Sequence, residues 1–136
     1  MEKKYPKFVV GSFIINTKGE LFLRTTPSQD NKYTCINEKV LWGESIEDTL
    51  TKSVQEKTGL KVESFELIGL TDGLNIPIPD GVTNLIFADY KVLVGNMTDF
   101  KTNKDREYKW LLPQEWLDMG ENAFGPYIYE VIEKLA

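Results

Sequence analysis

The sequence contains no histidine and only one cysteine, Cys35. Without histidine the chain lacks the commonest general base and cannot form a histidine-ligated zinc site. One cysteine cannot form an internal disulfide, and Cys35 has no histidine to activate it as a nucleophile. The sequence also shows no charged start followed by an apolar run of signal-peptide length. Together these features predict a protein of the reducing cytoplasm.

Long apolar runs and an excess of basic residues are also missing. No run approaches the roughly 20 apolar residues that cross a bilayer, so we expect no membrane insertion. The net charge of -5 argues against general nucleic-acid binding, because such binding depends on clustered lysines and arginines. A small phosphate-containing ligand remains compatible, since it needs only local positive charge. The oligomeric state is left open.

The chain has the size and composition of one ordinary domain. Its 136 residues are 41% hydrophobic, which is enough to bury a substantial core without crosslinks. We therefore predict a single domain over residues 1–136. Apolar runs and turn signals predict strands at 8–16 and 21–26 that form a hairpin.

A further helix is predicted from Ser45 to Gly59. Ile46, Leu50 and Val54 recur every four residues, as one apolar stripe of a helix does. Ser45 is a good N-cap residue with an acidic residue three positions later. Gly59 ends the helix, because glycine readily adopts the positive φ of a C-terminal cap.

The segment 74–81 is predicted to be a long loop. Its prolines, Pro77 and Pro79, remove ladder donors and cannot continue a central strand, and Asp80-Gly81 marks a turn. Long irregular loops of compact domains often bind ligands. A second polar connection is expected at 96–104, and Pro113 suits the first turn of another helix.

Residues 38–60 resemble the signature of the Nudix hydrolases, the MutT-like family. That signature is a glycine, five variable positions, a glutamate, seven variable positions, and Arg-Glu-aliphatic-any-Glu-Glu-any-Gly-aliphatic. Glu44, Val54, Glu56 and Gly59-Leu60 match it. The hairpin at 8–26 looks like the entry hairpin of the family. After the box, strands at 64–70, 84–94 and 107–112 and a closing helix at 126–135 follow in the order of the family, so the resemblance covers nearly the whole chain. The resemblance implies an α/β protein with the Nudix fold, an α/β/α sandwich with a mixed central β-sheet.

Four positions of this box depart from the family pattern. Glu38 stands in place of the opening glycine, Lys52 in place of the arginine, and Ser53 and Lys57 in place of two glutamates. In the family the glutamates surround Mg²⁺ or Mn²⁺, which bridges diphosphate oxygens and activates water. Ser53 offers only a neutral hydroxyl, and Lys57 has a positive charge and no lone pair. The box is therefore degenerate, and we expect its metal affinity to fall sharply.

The family frame nevertheless assigns candidate roles within the box. The predicted site residues are Glu44, Lys52 and Glu56 for catalysis, Glu56 and Glu38 for metal binding, and Lys57 and Trp42 for substrate binding. Lys52 and Glu56 are also spaced for an ordinary surface i, i+4 pair.

Other candidates remain as open alternatives. The ammonium of Lys57 either faces ligand phosphates, pairs with Glu44, or extends along apolar neighbours towards water. A downstream carboxylate often assists in the family, and the aromatic residues either stack on a nucleobase or belong to the core. The candidates are the carboxylates Asp99, Asp105 and Glu107, and the aromatics Trp42, Phe87, Tyr90 and Phe124.

Three functional hypotheses follow from the resemblance. In the first, a cytoplasmic Nudix-fold domain keeps a cleft for a nucleotide-like ligand, hydrolysis is weak or lost, and the role is binding or regulation. In the second, an active Mg²⁺-dependent diphosphohydrolase uses a rearranged set of Glu38, Glu44, Glu56 and a downstream carboxylate. In the third, the domain is a structural or interaction module with a closed cleft. The ligand itself is not specified, because the family recognises substrates through variable loops such as 74–83.

Overall fold

The computed structural model describes residues 4–136 and shows a seven-stranded sheet with three α-helices. The strands are β1 (Lys7–Ile15), β2 (Leu21–Thr26), β3 (Lys32–Thr34), β4 (Ile36–Lys39), β5 (Val62–Ile78), β6 (Gly81–Val94) and β7 (Tyr108–Leu111). The helices are α1 (Ile46–Thr58), α2 (Pro113–Leu117) and α3 (Ile128–Leu135), with short 3₁₀ turns at Pro27–Gln29 and Glu121–Ala123. Within these residues no helix is both long and apolar enough to cross a membrane.

The sheet is mixed and is built around β1. Its strand order is β3-β2-β1-β6-β5, with β4 also paired to β1 and β7 to β2. β1 runs parallel to β6 from Lys7↔Leu85 to Ile15↔Leu93, and antiparallel to β2 and β4. Most of β1 is buried, as its nearly continuous apolar sequence predicted. The predicted hairpin of the first two strands is confirmed.

Two hydrophobic cores cover opposite faces of the sheet. On one face, Leu50 and Val54 of α1 pack in a cluster with Ile14 of β1. On the other face, Trp116 of α2 and Ile132 of α3 pack in a second cluster with the opposite side of β1 and β2. Helices therefore lie on both sides of a mixed sheet, and the predicted α/β/α sandwich is confirmed.

Helix α1 is capped at both ends as its sequence predicted. The hydroxyl of Ser45 accepts a hydrogen bond from the backbone N–H of Asp48 at 3.1 Å. At the other end Gly59 has a φ of 72°, and a Cβ there would collide with the carbonyl oxygen of Asp99. Both the backbone angle and the close approach require glycine at this position.

The predicted loop at 74–81 is wrong. β5 continues through Ile78 and pairs with β6 around a tight turn, with Pro77 opposite Val82. The proline is tolerated because β5 is an edge strand. On its open side no neighbouring strand is present to accept a hydrogen bond from a backbone N–H, so a proline there costs no inter-strand bond. The turn at Asp80 is confirmed. The predicted strand at 107–112 and the predicted helix at 126–135 are slightly shorter in the structure.

The connection between β6 and β7, which we call the 95–107 loop, has no helix or strand. It is nevertheless held at its middle and at its C-terminal end by backbone hydrogen bonds. The N–H of Lys101 donates to the carbonyl oxygen of Thr58 at 2.9 Å, at the end of α1. Thr25 of β2 donates its N–H to the carbonyl of Glu107 at 2.9 Å. The loop is therefore fixed against the C-terminal end of α1.

Candidate ligand site

Two of the residues that depart from the family pattern contact each other. The Nζ of Lys57, in the last turn of α1, lies 2.7 Å from the Oε2 of Glu38 on β4. The same ammonium donates a hydrogen bond to the backbone carbonyl of Asn37 at 2.8 Å. The two side chains are 29% and 42% exposed, respectively. Of the alternatives for Lys57, pairing with a carboxylate is therefore observed, but the partner is Glu38 and not Glu44.

Ser53 is part of the packed side of α1. It is only 2% exposed, and its hydroxyl donates to the carbonyl oxygen of Leu50 at 3.1 Å within the same helix. The hydroxyl proton is thus used locally. Because serine is uncharged, position 53 contributes no charge to the box.

A narrow cleft of about 70 Å³ lies between β4 and α1. It brings together most of the predicted site residues, since its lining comprises Glu38, Leu41, Glu44, Thr49, Lys52, Ser53 and Glu56. Glu44 is half-buried and accepts the backbone N–H of Leu41 at 3.4 Å. Over residues 4–136 the Lys57–Glu38 contact is the one ion pair within 4.0 Å, so the predicted Lys52–Glu56 pair is not formed.

A wider cleft of about 260 Å³ opens on the other side of β4. Its walls are largely apolar and include Leu85 and Phe87 of β6 and Val131 of α3. Asn37 and Glu38 also line it. Because Glu38 belongs to both clefts, the ion pair with Lys57 lies where they meet.

The floor of the wide cleft contains a polar cluster around Asp89. This carboxylate is only 6% exposed and accepts the hydroxyl of Thr71 at 2.8 Å. Burial raises the pKa of Asp89, although the Thr71 hydrogen bond and the charge of Lys134 act in the opposite direction. A Cβ at Gly11 would approach the Oδ1 of Asp89 to 3.0 Å and the Oδ1 of Asn37 to 3.3 Å. Glycine therefore leaves room for both oxygens at the floor.

The sequence interpretation missed this cluster. One signal was present, since Asp89 interrupts the apolar run Leu-Ile-Phe-Ala of β6. An ionisable residue within a buried strand is a candidate functional group. The Oδ1 of Asn37 accepts a hydrogen bond from the Sγ of Cys35 at 3.4 Å. No sequence pattern marked Asn37 as a candidate functional residue.

The same arrangement of strands and helices occurs in known structures. A MutT protein from Methanosarcina mazei Go1 matches with a TM-score of 0.76 and 21% identity, over 98% of this chain and 96% of that one. A MutT NUDIX hydrolase from Burkholderia pseudomallei matches with a TM-score of 0.75 and 18% identity, over 98% and 100%. The chain has the Nudix fold. A NUDIX-family hydrolase from Clostridium perfringens agrees, with a TM-score of 0.73 and 15% identity over 98% and 100%.

Sequence comparison alone finds less. No family model matches the chain, and no curated protein matches it. The Nudix fold is therefore shown by structural likeness and not by sequence likeness, and the fold does not by itself establish an activity.

The Nudix resemblance implies a divalent metal, and the residues present do not fit one. In the part of the chain that the structure describes, no three Asp, Glu or Cys side chains are grouped closely enough to hold a metal ion. Mg²⁺ requires oxygen ligands, whereas the ammonium of Lys57 occupies the region beside Glu38. The metal-binding roles of Glu38 and Glu56 therefore stay predictions.

The aromatic candidates are placed differently within the Nudix fold. Trp42 is fully exposed and is not among the residues that line either cleft. Phe87 lines the wide cleft, and its ring centroid lies 6.0 Å from that of Tyr127. Tyr90 packs on Phe65 and Phe124 belongs to the core. Phe87 is thus the candidate that the fold brings to a cleft.

The downstream carboxylates do not line the narrow cleft. Asp99 and Asp105 are exposed on the 95–107 loop. Glu107 lies opposite Thr25 of β2, and it approaches the hydroxyl of Tyr33 on β3. The pKa of Tyr33 is raised, first by burial and then by the charge of Glu107. No carboxylate of this loop is positioned beside Glu44.

Proposed function

We propose that this Nudix-fold protein binds a nucleotide-like phosphate ligand, and that metal-dependent diphosphohydrolase activity is weak or lost. The observation that carries the proposal is the 2.7 Å ion pair between Lys57 and Glu38. The pair places a cation where the family has a metal-binding carboxylate, and a cation opposes Mg²⁺ binding at a neighbouring site. The role that follows is binding or regulation, without a required cofactor.

The wide cleft supports a ligand with a flat heterocycle. Ligand clefts combine apolar walls with a few placed polar groups, and this cleft has the ring of Phe87 in its wall and Asp89 at its floor. The aromatic ring offers a stacking surface. Asp89 and Asn37 offer hydrogen-bonding groups that distinguish one base from another.

Glu44, Lys52 and Glu56 keep catalytic roles only in a second candidate function. Glu38, Glu44 and Glu56 line one cleft, although they are not grouped as a metal site in the described residues. An active diphosphohydrolase with a rearranged carboxylate set would need these side chains to move together around Mg²⁺ or Mn²⁺. The two candidates differ in divalent-ion binding. Calorimetric binding of Mg²⁺ to the wild type, lost in Glu56→Gln, would support the second.

The first proposal is tested by measuring phosphate release from nucleoside triphosphates, dinucleotides and nucleotide sugars with Mg²⁺ or Mn²⁺. The wild type is compared with a triple variant, Glu38→Gly, Ser53→Glu and Lys57→Glu. We expect little or no turnover by the wild type, whereas a nucleotide present at 100 times its Kd should raise the stability of the wild type by about 2.7 kcal/mol. The triple variant should gain metal-dependent activity.

Two other results would contradict this proposal. Metal-dependent turnover by the wild type as fast as that of the triple variant would show that other carboxylates hold the ion. If no nucleotide raises the melting temperature, the domain is a structural or interaction module instead. As to location, the single cysteine supports our proposal of a reducing cytoplasm.

A further inference from the structure

A third cavity, of about 390 Å³, lies beside the C-terminal end of α1. We call it the basic cavity, because four of its seven lining residues are cationic. They are Arg24, Lys57, Lys101 and Arg106, joined by Glu56, Thr102 and Asn103. This concentration of positive charge contrasts with the net charge of -5 of the whole chain.

Arg24 is the most unusual residue of the basic cavity. It is only 9% exposed, and its Nε has no hydrogen-bond partner in the structure of residues 4–136. A buried guanidinium is costly unless an anion or acceptor compensates its charge. Burial, followed by the nearby charge of Arg106, lowers the pKa of Arg24 to about 10. Within residues 4–136, therefore, the Nε of Arg24 has no acceptor and no carboxylate oxygen lies within 4.0 Å of its guanidinium.

A second polar group of the basic cavity is also without a partner. The hydroxyl oxygen of Thr102 is buried, and the described part of the chain provides no hydrogen-bond partner for it. Most buried polar atoms in proteins have a partner, so each exception requires an explanation. Two such groups, Arg24 and Thr102, line one cavity. An acceptor of hydrogen bonds that entered the cavity and reached these two atoms, through a small movement of the side chains around them, would satisfy both.

The basic cavity is held in shape before any ligand arrives. The N–H of Lys101 is hydrogen-bonded to the end of α1 at 2.9 Å. Within the loop, the side chain of Asn103 accepts the N–H of Asp105 at 3.0 Å, and its carbonyl accepts the N–H of Arg106 at 3.1 Å. Arg24 lies on β2 within the sheet. A site that is already ordered binds with a smaller entropic cost.

We propose that the basic cavity binds a phosphate oxyanion without a metal ion, with Arg24, Arg106 and Lys101 as cationic donors and Thr102 as a neutral one. Guanidinium groups match phosphate oxygens in a two-bond fork. An anion between Arg24 and Arg106 also relieves the repulsion of two like charges. Lys57 contributes less, since Glu38 already neutralises it, and the carboxylate of Glu56 opposes binding. The site is separate from the wide cleft and goes beyond the nucleotide binding proposed above.

The proposal is tested with pyrophosphate and inorganic phosphate in isothermal titration calorimetry, with a chelator present throughout. We expect pyrophosphate to bind the wild type, and Arg106→Gln to weaken it at least about tenfold, the usual value of one charged hydrogen bond. Thr102→Val should weaken it less. Glu56→Gln should strengthen it severalfold, because that change removes the opposing charge.

The matched control is Lys104→Gln, an exposed lysine of the same loop that does not line the cavity. It removes the same net charge as Arg106→Gln and should leave affinity unchanged. Because Arg24 is buried, variants at this position are at risk of unfolding. The test therefore uses variants of Thr102 and Arg106, which are half-buried. The proposal is overturned if the wild type does not bind pyrophosphate, or if Lys104→Gln and Arg106→Gln weaken binding equally.

The same titrations identify the source of the phosphate group. A nucleoside diphosphate that binds more tightly than pyrophosphate indicates a nucleotide, whereas equal affinities indicate an inorganic phosphate or polyphosphate. A nucleoside without phosphate probes the wide cleft alone. If the nucleoside binds and pyrophosphate does not, the proposed anion site is wrong and the proposed nucleotide cleft is supported. If pyrophosphate binds and the nucleoside does not, the anion site is supported and the nucleotide cleft is wrong.

Discussion

Removal of the Lys57 ammonium should destabilise the domain through two contacts at once. Lys57→Met abolishes the ion pair with Glu38 and the hydrogen bond to the carbonyl of Asn37. Exposed pairs contribute about 0.2–1 kcal/mol, and we expect about 1 kcal/mol here because Lys57 is 29% exposed. Adding about 1 kcal/mol for the carbonyl hydrogen bond gives a total of about 2 kcal/mol. The melting temperature should fall by roughly 8 °C.

A double-mutant cycle of Lys57→Met and Glu38→Gln separates the two contributions. Urea denaturation of the four proteins should give a coupling free energy of about 1 kcal/mol at low ionic strength. The coupling should shrink near 1 M salt, where the screening length is about 3 Å. The matched control is Lys52→Met with Glu56→Gln, which should show no coupling. Additivity of the first pair within about 0.3 kcal/mol would refute the reasoning, since the ion pair would then be absent in solution.

Three further predictions concern the packing of the clefts and helix α1. Burial raises the folded-state pKa of Asp89 above its unfolded value. The carboxyl group therefore keeps its proton in the native state over a pH range in which the unfolded chain has already lost it. The free energy of unfolding should therefore fall as pH rises from about 4 through the raised pKa, and Asp89→Asn should remove this component in urea titrations across pH. Gly59→Ala should lower the free energy of unfolding by at least about 2 kcal/mol, because the residue has a positive φ and a Cβ there would collide with Asp99. Gly43 also has a positive φ but open space around it, so Gly43→Ala should lower the free energy of unfolding by only about 1 kcal/mol in the same denaturation assay. Cys35 is buried, and desolvation raises its thiol pKa, so a thiol reagent should label it only after unfolding in urea; rapid labelling of the native protein would contradict this.

Local signals predicted most of the fold. The four-residue spacing of Ile46, Leu50 and Val54 located α1, and its caps at Ser45 and Gly59 were also visible in the sequence. These features succeed because neighbouring residues determine them. The extent of β5 depends instead on where that strand lies in the sheet. Pro77 excludes a central strand but not an edge strand, and strand order is not visible locally.

The site was predicted less completely, for the same reason. Alignment to the family frame selected Glu38 and Lys57 as departures, yet their contact joins β4 to α1 across 19 positions of the chain and depends on side-chain direction. The missing acceptor for the Nε of Arg24 in the described residues depends on burial and on a loop more than 70 residues away. No local pattern distinguishes that arginine from a surface one.

The Glu38–Lys57 contact also constrains how this sequence can change. Lys57→Glu alone would set two partly exposed carboxylates side by side, so that repulsion of like charges would replace the attraction of about 1 kcal/mol expected for the ion pair. Glu38→Gly alone would leave the ammonium with only the carbonyl of Asn37. Either single step towards the family pattern passes through a less stable protein. Positions 38 and 57 are therefore mutationally coupled, and a stable change to the carboxylate of the family pattern at 57 requires two substitutions rather than one.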